Sequence, residues 1–203
     1  MKTYIYIDGF NFFYLALKNT NYKWLDFKAL FNKLLPKNEI LKIKYFTANV
    51  SGKYDKQQPV RQESYLKALK KHIQEIEIIK GYFQTHKVMM PLADDPRKKI
   101  EVYKTEEKCT DVNLAVHLVN DAWKKEYECA VVVSNDGDLT EAMRIVGEDL
   151  NLPIGLATPG KAIVSHSLLK YATFIKRIRK NILIKSQLPN PIPNTKIFKP
   201  KEW

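Results

Sequence analysis

The sequence predicts an α/β fold with a mostly parallel central sheet and helices on both of its faces. Strand-like and helical segments alternate along the chain, which is the order of β-α-β units. The best-defined strand, Glu128–Val133, ends in three consecutive valines, and such a run of β-branched residues indicates a buried strand. With 203 residues, of which 45% are hydrophobic, the chain is long enough to bury a core of its own.

The first half of the chain contains three predicted strands and three predicted helices. The first strand, Lys2–Ile7, ends at Asp8, and Gly9 supplies the turn into the first helix. Asp26 is a candidate N-cap for the second helix, which Pro36 closes. The predicted helices span residues 10–18, 26–35 and 59–75, the next two strands span 40–48 and 76–83, and a polar loop spans 49–58.

The second half continues this alternation around the central strand. Thr110 or Asp111 is the expected start of a helix that continues to Lys125 and has one apolar face. After the central strand, Asp138 is the expected N-cap of the next helix, with Glu141 in capping-box spacing. The remaining predictions are an irregular segment at 84–96, a short edge strand at 97–104, helices at 139–148 and 163–171, and strands at 152–157 and 173–175.

The positive charge of the chain is concentrated in its last quarter. The formal net charge is +12, and residues 150–201 contain ten Lys or Arg and no Asp or Glu. This excess favours a polyanionic partner, with nucleic acid first, although a solvated lysine-rich surface fits the composition equally well. We expect one domain over residues 1–180 and a basic, Pro-rich tail over residues 181–203, in which four prolines oppose a regular helix.

Cysteine usage and hydropathy indicate the compartment. The only two cysteines, Cys109 and Cys129, form no CxxC pair, so we expect neither a disulfide scaffold nor a structural zinc site. We expect no signal peptide, and no apolar segment approaches the ~20 residues that a membrane-spanning helix needs. A reduced, cytoplasmic protein without a membrane partner is therefore predicted, and association between copies of the chain is left open.

Four aspartates stand where a parallel sheet would bring them together. Asp8 ends the first strand, Asp111 opens a helix, and Asp136 and Asp138 follow the central strand. In open α/β sheets, ligands bind at the edge formed by the carboxyl ends of the strands. Two carboxylates ~4 Å apart repel by about 4 kcal/mol at an effective dielectric of about 20, and Mg²⁺ or Mn²⁺ would offset this repulsion. Such an ion binds phosphate oxygens and activates water, which predicts hydrolysis of phosphodiesters.

Motif spacing excludes several other phosphate-handling sites. The first strand ends Ile-Asp-Gly-Phe-Asn, without the second Asp two residues after Asp8 that a haloacid-dehalogenase-type phosphatase needs. The Asp-rich loop after the central strand does not follow the EF-hand pattern. A Gly-x-x-x-x-Gly-Lys-Ser/Thr loop is also absent from the sequence, which excludes nucleotide hydrolysis of the P-loop type.

At these acidic positions the chain resembles a known family. The blocks that carry the resemblance are Tyr6-Ile-Asp8-Gly-Phe-Asn11, Glu107-Lys-Cys-Thr-Asp111-Val and Val133-Ser134-Asn-Asp136-Gly-Asp138-Leu139. They are similar to the signature blocks of NYN domains, which are PIN-like ribonucleases, and in particular to those of the LabA-like bacterial branch. The resemblance covers roughly residues 3–175 and implies a Rossmann-like (PIN-like) sheet, a Mg²⁺ or Mn²⁺ site and cleavage of RNA. The four aspartates match the family's acidic residues and Asn11 its asparagine, while Cys109 stands where glycine is common.

The resulting hypothesis is a metal-dependent ribonuclease that hydrolyses RNA phosphodiester bonds. The residues expected to be catalytic and to bind the metal are Asp8, Asp111, Asp136 and Asp138, and those expected to contact the substrate are Asn11, Ser134 and Lys108. Each of them also has a structural interpretation. Asp111 and Asp138 could only cap helices, Asn11 could be a satisfied buried amide, and Lys108 could be a solvated side chain.

Three other functions fit the same sequence. The first is a non-catalytic or regulatory module that holds RNA or DNA on the basic face. The second is a small-molecule phosphohydrolase on a similar sheet. The third is an assembly role in which the Pro-rich tail docks a partner.

Overall fold

The computed structural model describes residues 1–53, 55–159 and 163–203, and in these ranges seven strands form one sheet. In chain order the strands are β1 (Lys2–Asp8), β2 (Glu39–Ala48), β3 (Ile76–Pro91), β4 (Lys99–Lys108), β5 (Cys129–Val133), β6 (Ile154–Pro159) and β7 (Phe174–Ile178). Their order across the sheet is β4-β3-β2-β1-β5-β6-β7. Every neighbouring pair is parallel except β3 and β4. The predicted mostly parallel α/β fold is confirmed.

Helices cover both faces of this sheet. They are α1 (Gly9–Phe12), which continues as a π-helical turn over Phe13–Leu17, α2 (Phe27–Leu34), α3 (Gln58–His72), α4 (Thr110–Trp123), α5 (Thr140–Arg144), α6 (His166–Leu169) and α7 (Lys180–Ile184). A 3₁₀ turn, Gly137–Leu139, precedes α5, and a π-helical turn, Ile145–Asp149, follows it. None of the helices in the described part of the chain has the length and apolar character needed to cross a membrane.

The two cores follow from the alternation of side chains along the strands. In β1, Ile5 and Ile7 pack under α1, α2, α3 and α7, whereas Tyr4 and Tyr6 pack under α4, α5 and α6. All four side chains are buried. The central strand β1 is therefore fixed from both sides, and its last residue, Asp8, is fixed with it.

The segment at 84–96 was expected to be irregular. This prediction is wrong for residues 84–91 and is confirmed for residues 92–96, which lie between two strands. Strand β3 continues to Pro91 and pairs antiparallel with β4, from Tyr82 opposite Lys108 to Pro91 opposite Lys99. Most side chains of this hairpin are exposed, so neither face carries the apolar alternation by which a half-buried strand is recognised. The hairpin leaves the body at Gly81, where a Cβ atom would lie 2.3 Å from the carbonyl oxygen of Lys108.

Two predicted helix caps had different outcomes. Asp26 caps α2 as expected, because its Oδ1 accepts the N–H of Ala29 at 2.9 Å. The predicted cap Asp138 is wrong, since Asp136 takes that position and its Oδ1 accepts the N–H of Asp138 at 3.0 Å. The helical turn begins at Gly137 as a 3₁₀ turn, two residues earlier than the capping-box spacing indicated.

The basic, Pro-rich segment over 181–203 lies along the core that contains Ile5 and Ile7. Leu183, Leu188 and Ile192 are buried there with the residues of α2. The indole of Trp203 packs against Trp24 and against Tyr65, with ring centroids 6.4 and 5.3 Å apart, respectively. These contacts bring the last residues of the sequence next to α3.

A buried ion pair lies beside Tyr6, in the core that contains Tyr4 and Tyr6. Lys44 Nζ lies 2.6 Å from Asp121 Oδ2, and the hydroxyl of Tyr6 donates to the same oxygen at 2.7 Å. Lys44 Nζ also lies 3.1 Å from His117 Nδ1, which accepts from the ammonium group. The side chains of Lys44 and Asp121 are each only 6% exposed, so the pair is shielded from solvent.

Candidate active site

The candidate site lies where the strand order reverses at the centre of the sheet. Strand β1 has β2 on one side and β5 on the other, and Ile7 pairs with Val133 at the ends of the two strands. Asp8 is the last residue of β1, and the Asp136 loop follows β5 directly. A crevice beyond the carboxyl ends of the strands at such a switch point is the usual ligand site of open α/β sheets.

A cavity of about 350 Å³ occupies this position. Its polar lining residues are Asp8, Asn11, Glu107, Asp111 and Asp136, and its apolar lining residues are Phe10, Tyr14, Leu15 and Phe83. Three of the four predicted aspartates, 128 positions apart at most, thus share one small cleft. The cleft is acidic although the chain as a whole is strongly basic.

Asp8 is held by hydrogen bonds from both sides of the sheet centre. Its Oδ1 accepts the N–H of Asn11 at 3.0 Å, and its Oδ2 accepts the hydroxyl of Ser134 at 2.8 Å. The same Ser134 Oγ accepts the N–H of Asp136 at 3.1 Å, and Asn11 Oδ1 accepts the N–H of Asn135 at 3.0 Å. Asn11 and Ser134 therefore join α1, β1 and the loop after β5 into one rigid unit.

Asn135 anchors this loop to the segment before α6. Its Oδ1 accepts the N–H of Ser165, and its Nδ2 donates to the carbonyl oxygen of Ile163, each at 2.8 Å. The amide is thereby used for shaping the loop. The next residue, Asp136, is fixed on one side by these contacts of Asn135 and on the other by the 3₁₀ turn that it caps.

The environment of Asp8 favours its neutral form. The pKa of Asp8 is raised to about 6, mainly by burial and to a smaller extent by the charges of Asp111 and Asp136. The hydrogen bonds from the Asn11 N–H and the Ser134 hydroxyl act in the opposite direction and lower this pKa. Burial also raises the pKa of Asp111, with added contributions from Asp136 and Asp138. These shifts have the sign expected of carboxylates that face one another without a neighbouring cation.

Three predicted site residues lie away from the cavity lining: Ser134, Lys108 and Asp138. Ser134 is fully buried and donates its hydroxyl to Asp8. Lys108 Nζ contacts Glu106 Oε2 at 3.2 Å, because residues 106 and 108 share one face of β4 while Glu107 lies on the other. Asp138 is exposed and donates its backbone N–H to Asp136, so its carboxylate reaches the cluster only through its charge.

Glu107 belongs to the cleft and was missed as a site residue. Its Oε1 accepts the N–H of Thr110 at 3.0 Å, and burial raises its pKa, with the charge of Asp111 adding to the effect. The sequence feature that could have identified Glu107 is its position three residues before Thr110, at the end of an edge strand that leads into α4. The aromatic lining residues Tyr14 and Phe83 had no such signal, since they are separate in sequence from the acidic blocks, whereas Phe10 lies within the first of these blocks.

The donor chemistry of the cleft fits a hard divalent cation. Its acidic side chains, Asp8, Glu107, Asp111 and Asp136, are carboxylates, which are the ligands that Mg²⁺ and Mn²⁺ prefer. In residues 1–53, 55–159 and 163–203, no group of three or more His, Cys, Asp or Glu side chains is placed so that it could hold a metal ion. Mg²⁺ usually keeps several waters and uses one or two carboxylates, so these residues fit a partly hydrated ion.

Comparison with known protein families agrees with this geometry. The family model of the NYN domain matches residues 2–177. The chain belongs to the NYN domain family. The match includes β1, which carries Asp8, the loop after β5, which carries Asp136, and α4, which carries Asp111. NYN domains form part of the PIN-like superfamily.

Two known proteins are similar to this NYN domain over most of its length. The 6-hydroxy-3-succinoylpyridine 3-monooxygenase HspA of Pseudomonas putida is 33% identical over 235 aligned positions, which cover 100% of this chain and 75% of that protein. A crystal structure of a protein of unknown function from Vibrio parahaemolyticus superimposes with a TM-score of 0.58 at 15% identity. That alignment covers 89% of this chain and 94% of the other, and it shows a shared fold.

Proposed function

We propose that this NYN domain is a metal-dependent ribonuclease that hydrolyses RNA phosphodiester bonds. The observation that carries the proposal is the gathering of Asp8, Asp111 and Asp136 in one cavity at the carboxyl edge of the sheet. Membership of the NYN family, whose members are generally nuclease-like, supports the same reaction. We further propose that it acts in the cytoplasm, in keeping with its two free thiols.

The proposed site for Mg²⁺ or Mn²⁺ lies among Asp8, Asp111 and Asp136, one or two of which would bind the ion directly. The remaining carboxylates, including that of Asp138, would act through water. A bound ion would supply Lewis acidity to the phosphate and to the attacking water. Ser134 would act through Asp8, because its hydroxyl already donates to that carboxylate. Asn11 Oδ1 is used by the N–H of Asn135, which leaves Nδ2 as the donor for a phosphate oxygen.

The positive surface outside the cleft would hold the RNA strand. The Lys and Arg side chains at residues 150–201 can neutralise phosphates and release counterions, and Lys108 can do the same at the hairpin. Binding should therefore weaken steeply with salt concentration. DNA has the same phosphate chain and is the alternative ligand of this surface.

Incubation of the purified protein with end-labelled single-stranded and structured RNA tests the proposal. We expect cleavage in Mn²⁺ or Mg²⁺, none in EDTA, and loss of cleavage in Asp136→Asn, whose amide would disturb the charge of the cleft but not its shape. Equal cleavage by the variant, or cleavage in EDTA, would contradict the proposal. Salt-sensitive binding without metal-dependent cleavage would instead indicate a binding module.

The relative from Pseudomonas putida supports a second candidate, oxygenation of a substituted pyridine. Its name describes a 3-monooxygenase of 6-hydroxy-3-succinoylpyridine, and it aligns with the whole of this chain. Such a reaction places one atom of O₂ on the ring and releases the other as water, with two electrons from a reductant. A parallel arm of the same experiment supplies that pyridine, O₂ and reduced nicotinamide or flavin. A hydroxylated product with no cleavage of RNA would favour this candidate.

A further inference from the structure

A second cavity adjoins the acidic cleft. It has a volume of about 410 Å³, within the usual range of ligand pockets, and it shares Phe10 and Tyr14 with the cleft. Six aromatic side chains line it: Phe10, Phe13, Tyr14, Tyr45, Tyr65 and Trp203. We call this cavity the aromatic pocket. Because Phe10 and Tyr14 line both cavities, the aromatic pocket and the acidic cleft lie next to each other.

The charged groups of the aromatic pocket offset one another. Arg61 donates to Glu202 Oε2 at 2.6 Å and also contacts the carboxylate of Asp55. Lys23 is the other basic lining residue among those that the structure describes, which gives two positive and two negative groups. With no net charge and with aromatic walls, the pocket favours a neutral planar ring over a free anion or cation.

The polar groups of the pocket can form hydrogen bonds with the edge of such a ring. The amide of Gln62 is fixed by the backbone, since Nε2 donates to the carbonyl oxygen of Ala48 at 2.8 Å and Oε1 accepts the N–H of Val50 at 3.0 Å. Gln58 and Thr47 also line the pocket and offer both donors and acceptors. Single-stranded RNA is recognised in this way, by aromatic stacking and by hydrogen bonds to base edges.

We propose that the aromatic pocket accepts an unpaired nucleobase of the RNA strand whose neighbouring phosphate lies in the acidic cleft. The proposal rests on the proposed ribonuclease function and specifies its substrate as RNA with an unstacked base beside the scissile bond. Base–aromatic stacking contributes about 1–3 kcal/mol per base, and 1.4 kcal/mol is tenfold in affinity. Filling the pocket should therefore change RNA affinity by about 5- to 140-fold.

Binding of single-stranded RNA in EDTA tests the pocket without any cleavage. One abasic site is moved along the strand, and each RNA is titrated against wild type, Tyr14→Ala and Tyr14→Phe. Tyr14 is 59% exposed, so its truncation should leave the fold intact. We expect one abasic position to weaken wild-type binding about tenfold, Tyr14→Ala to weaken intact RNA similarly, and the two changes together to add little. Tyr14→Phe should bind like wild type.

Trp123→Ala is the matched control. Trp123 is 74% exposed at the end of α4, and the 1.5 Å rise per helical residue places it about 18 Å from Asp111. Its truncation should leave the affinity of both RNAs unchanged. Equal affinity of intact and abasic RNA at every position, or additive losses with Tyr14→Ala, overturns the pocket proposal even if the protein cleaves RNA. If the abasic site and Tyr14→Ala are coupled in RNA binding but the protein does not cleave RNA in Mn²⁺, the result supports the pocket and contradicts only the hydrolase function.

Discussion

Asp8→Asn is expected to lower the rate of RNA cleavage in Mn²⁺ at least about 1000-fold and to make the metal-free protein more stable at pH 8. The loss of rate follows because a carboxylate ligand is replaced by a neutral amide at the proposed metal. Lewis-acid catalysis contributes several kcal/mol to the transition state, and about 4 kcal/mol corresponds to 1000-fold. The amide keeps the shape of Asp8, so the hydrogen bond from Asn11 remains.

The gain in stability follows from the raised pKa of Asp8. The folded protein keeps the Asp8 proton up to about pH 6, whereas the unfolded chain releases it near the ordinary value of 3.8. The stability that comes from this group is thus present below about pH 4 and is lost as the pH rises through 6. The loss amounts to about 3 kcal/mol, which Asn at this position does not incur.

Urea unfolding in EDTA at pH 4 and pH 8 measures this difference. Asp8→Asn and wild type should be equally stable at pH 4, and the variant should be more stable by up to about 3 kcal/mol at pH 8. Glu63→Gln is the control, because Glu63 is an exposed partner of Lys67 and should change stability by less than about 1 kcal/mol at either pH. A difference between Asp8→Asn and wild type that does not vary with pH would refute the linkage.

The second large effect is expected at the buried ion pair. Lys44→Ala should lower the free energy of unfolding by about 3–5 kcal/mol, because it leaves the Asp121 carboxylate buried with, among the described residues, only the Tyr6 hydroxyl as a partner. For a chain of this size the melting temperature should fall by at least about 6 °C. Thermal unfolding followed by circular dichroism measures the change.

Lys42→Ala provides the control on the same strand. Lys42 lies 3.7 Å from Glu77, both side chains are more than a third exposed, and its loss should cost less than about 1 kcal/mol. Adding Asp121→Asn to Lys44→Ala removes the uncompensated charge and should restore part of the stability. If Lys44→Ala melted like Lys42→Ala, the pair would contribute nothing to stability.

The fold and the acidic site were largely predictable because their signals are local. The three valines of β5 identify a buried strand without reference to the rest of the chain, and the parallel order of β1 and β5 then brings Asp8 and Asp136 to one edge. The position of Asp111 was less certain in sequence, because a first-turn aspartate fits a cap as well as a ligand. The direction of α4 places it in the cleft.

The features that were missed depend on distant parts of the chain. Lys44 and Asp121 are 77 residues apart, and their pairing requires both the register of β2 and the rotation of α4 on the sheet. The aromatic pocket needs Trp203 beside Tyr65, which no periodicity indicates. The hairpin of β3 and β4 is mostly exposed to solvent and so lacks the apolar pattern on which strand prediction depends.

The most direct measurement of the central claim is the anomalous difference density of crystals soaked in Mn²⁺. The account predicts a peak among the carboxylates of Asp8, Asp111 and Asp136, and no peak there in crystals of Asp8→Asn. Soaked wild-type crystals without density in the cleft, from a preparation that cleaves RNA in Mn²⁺, would contradict it.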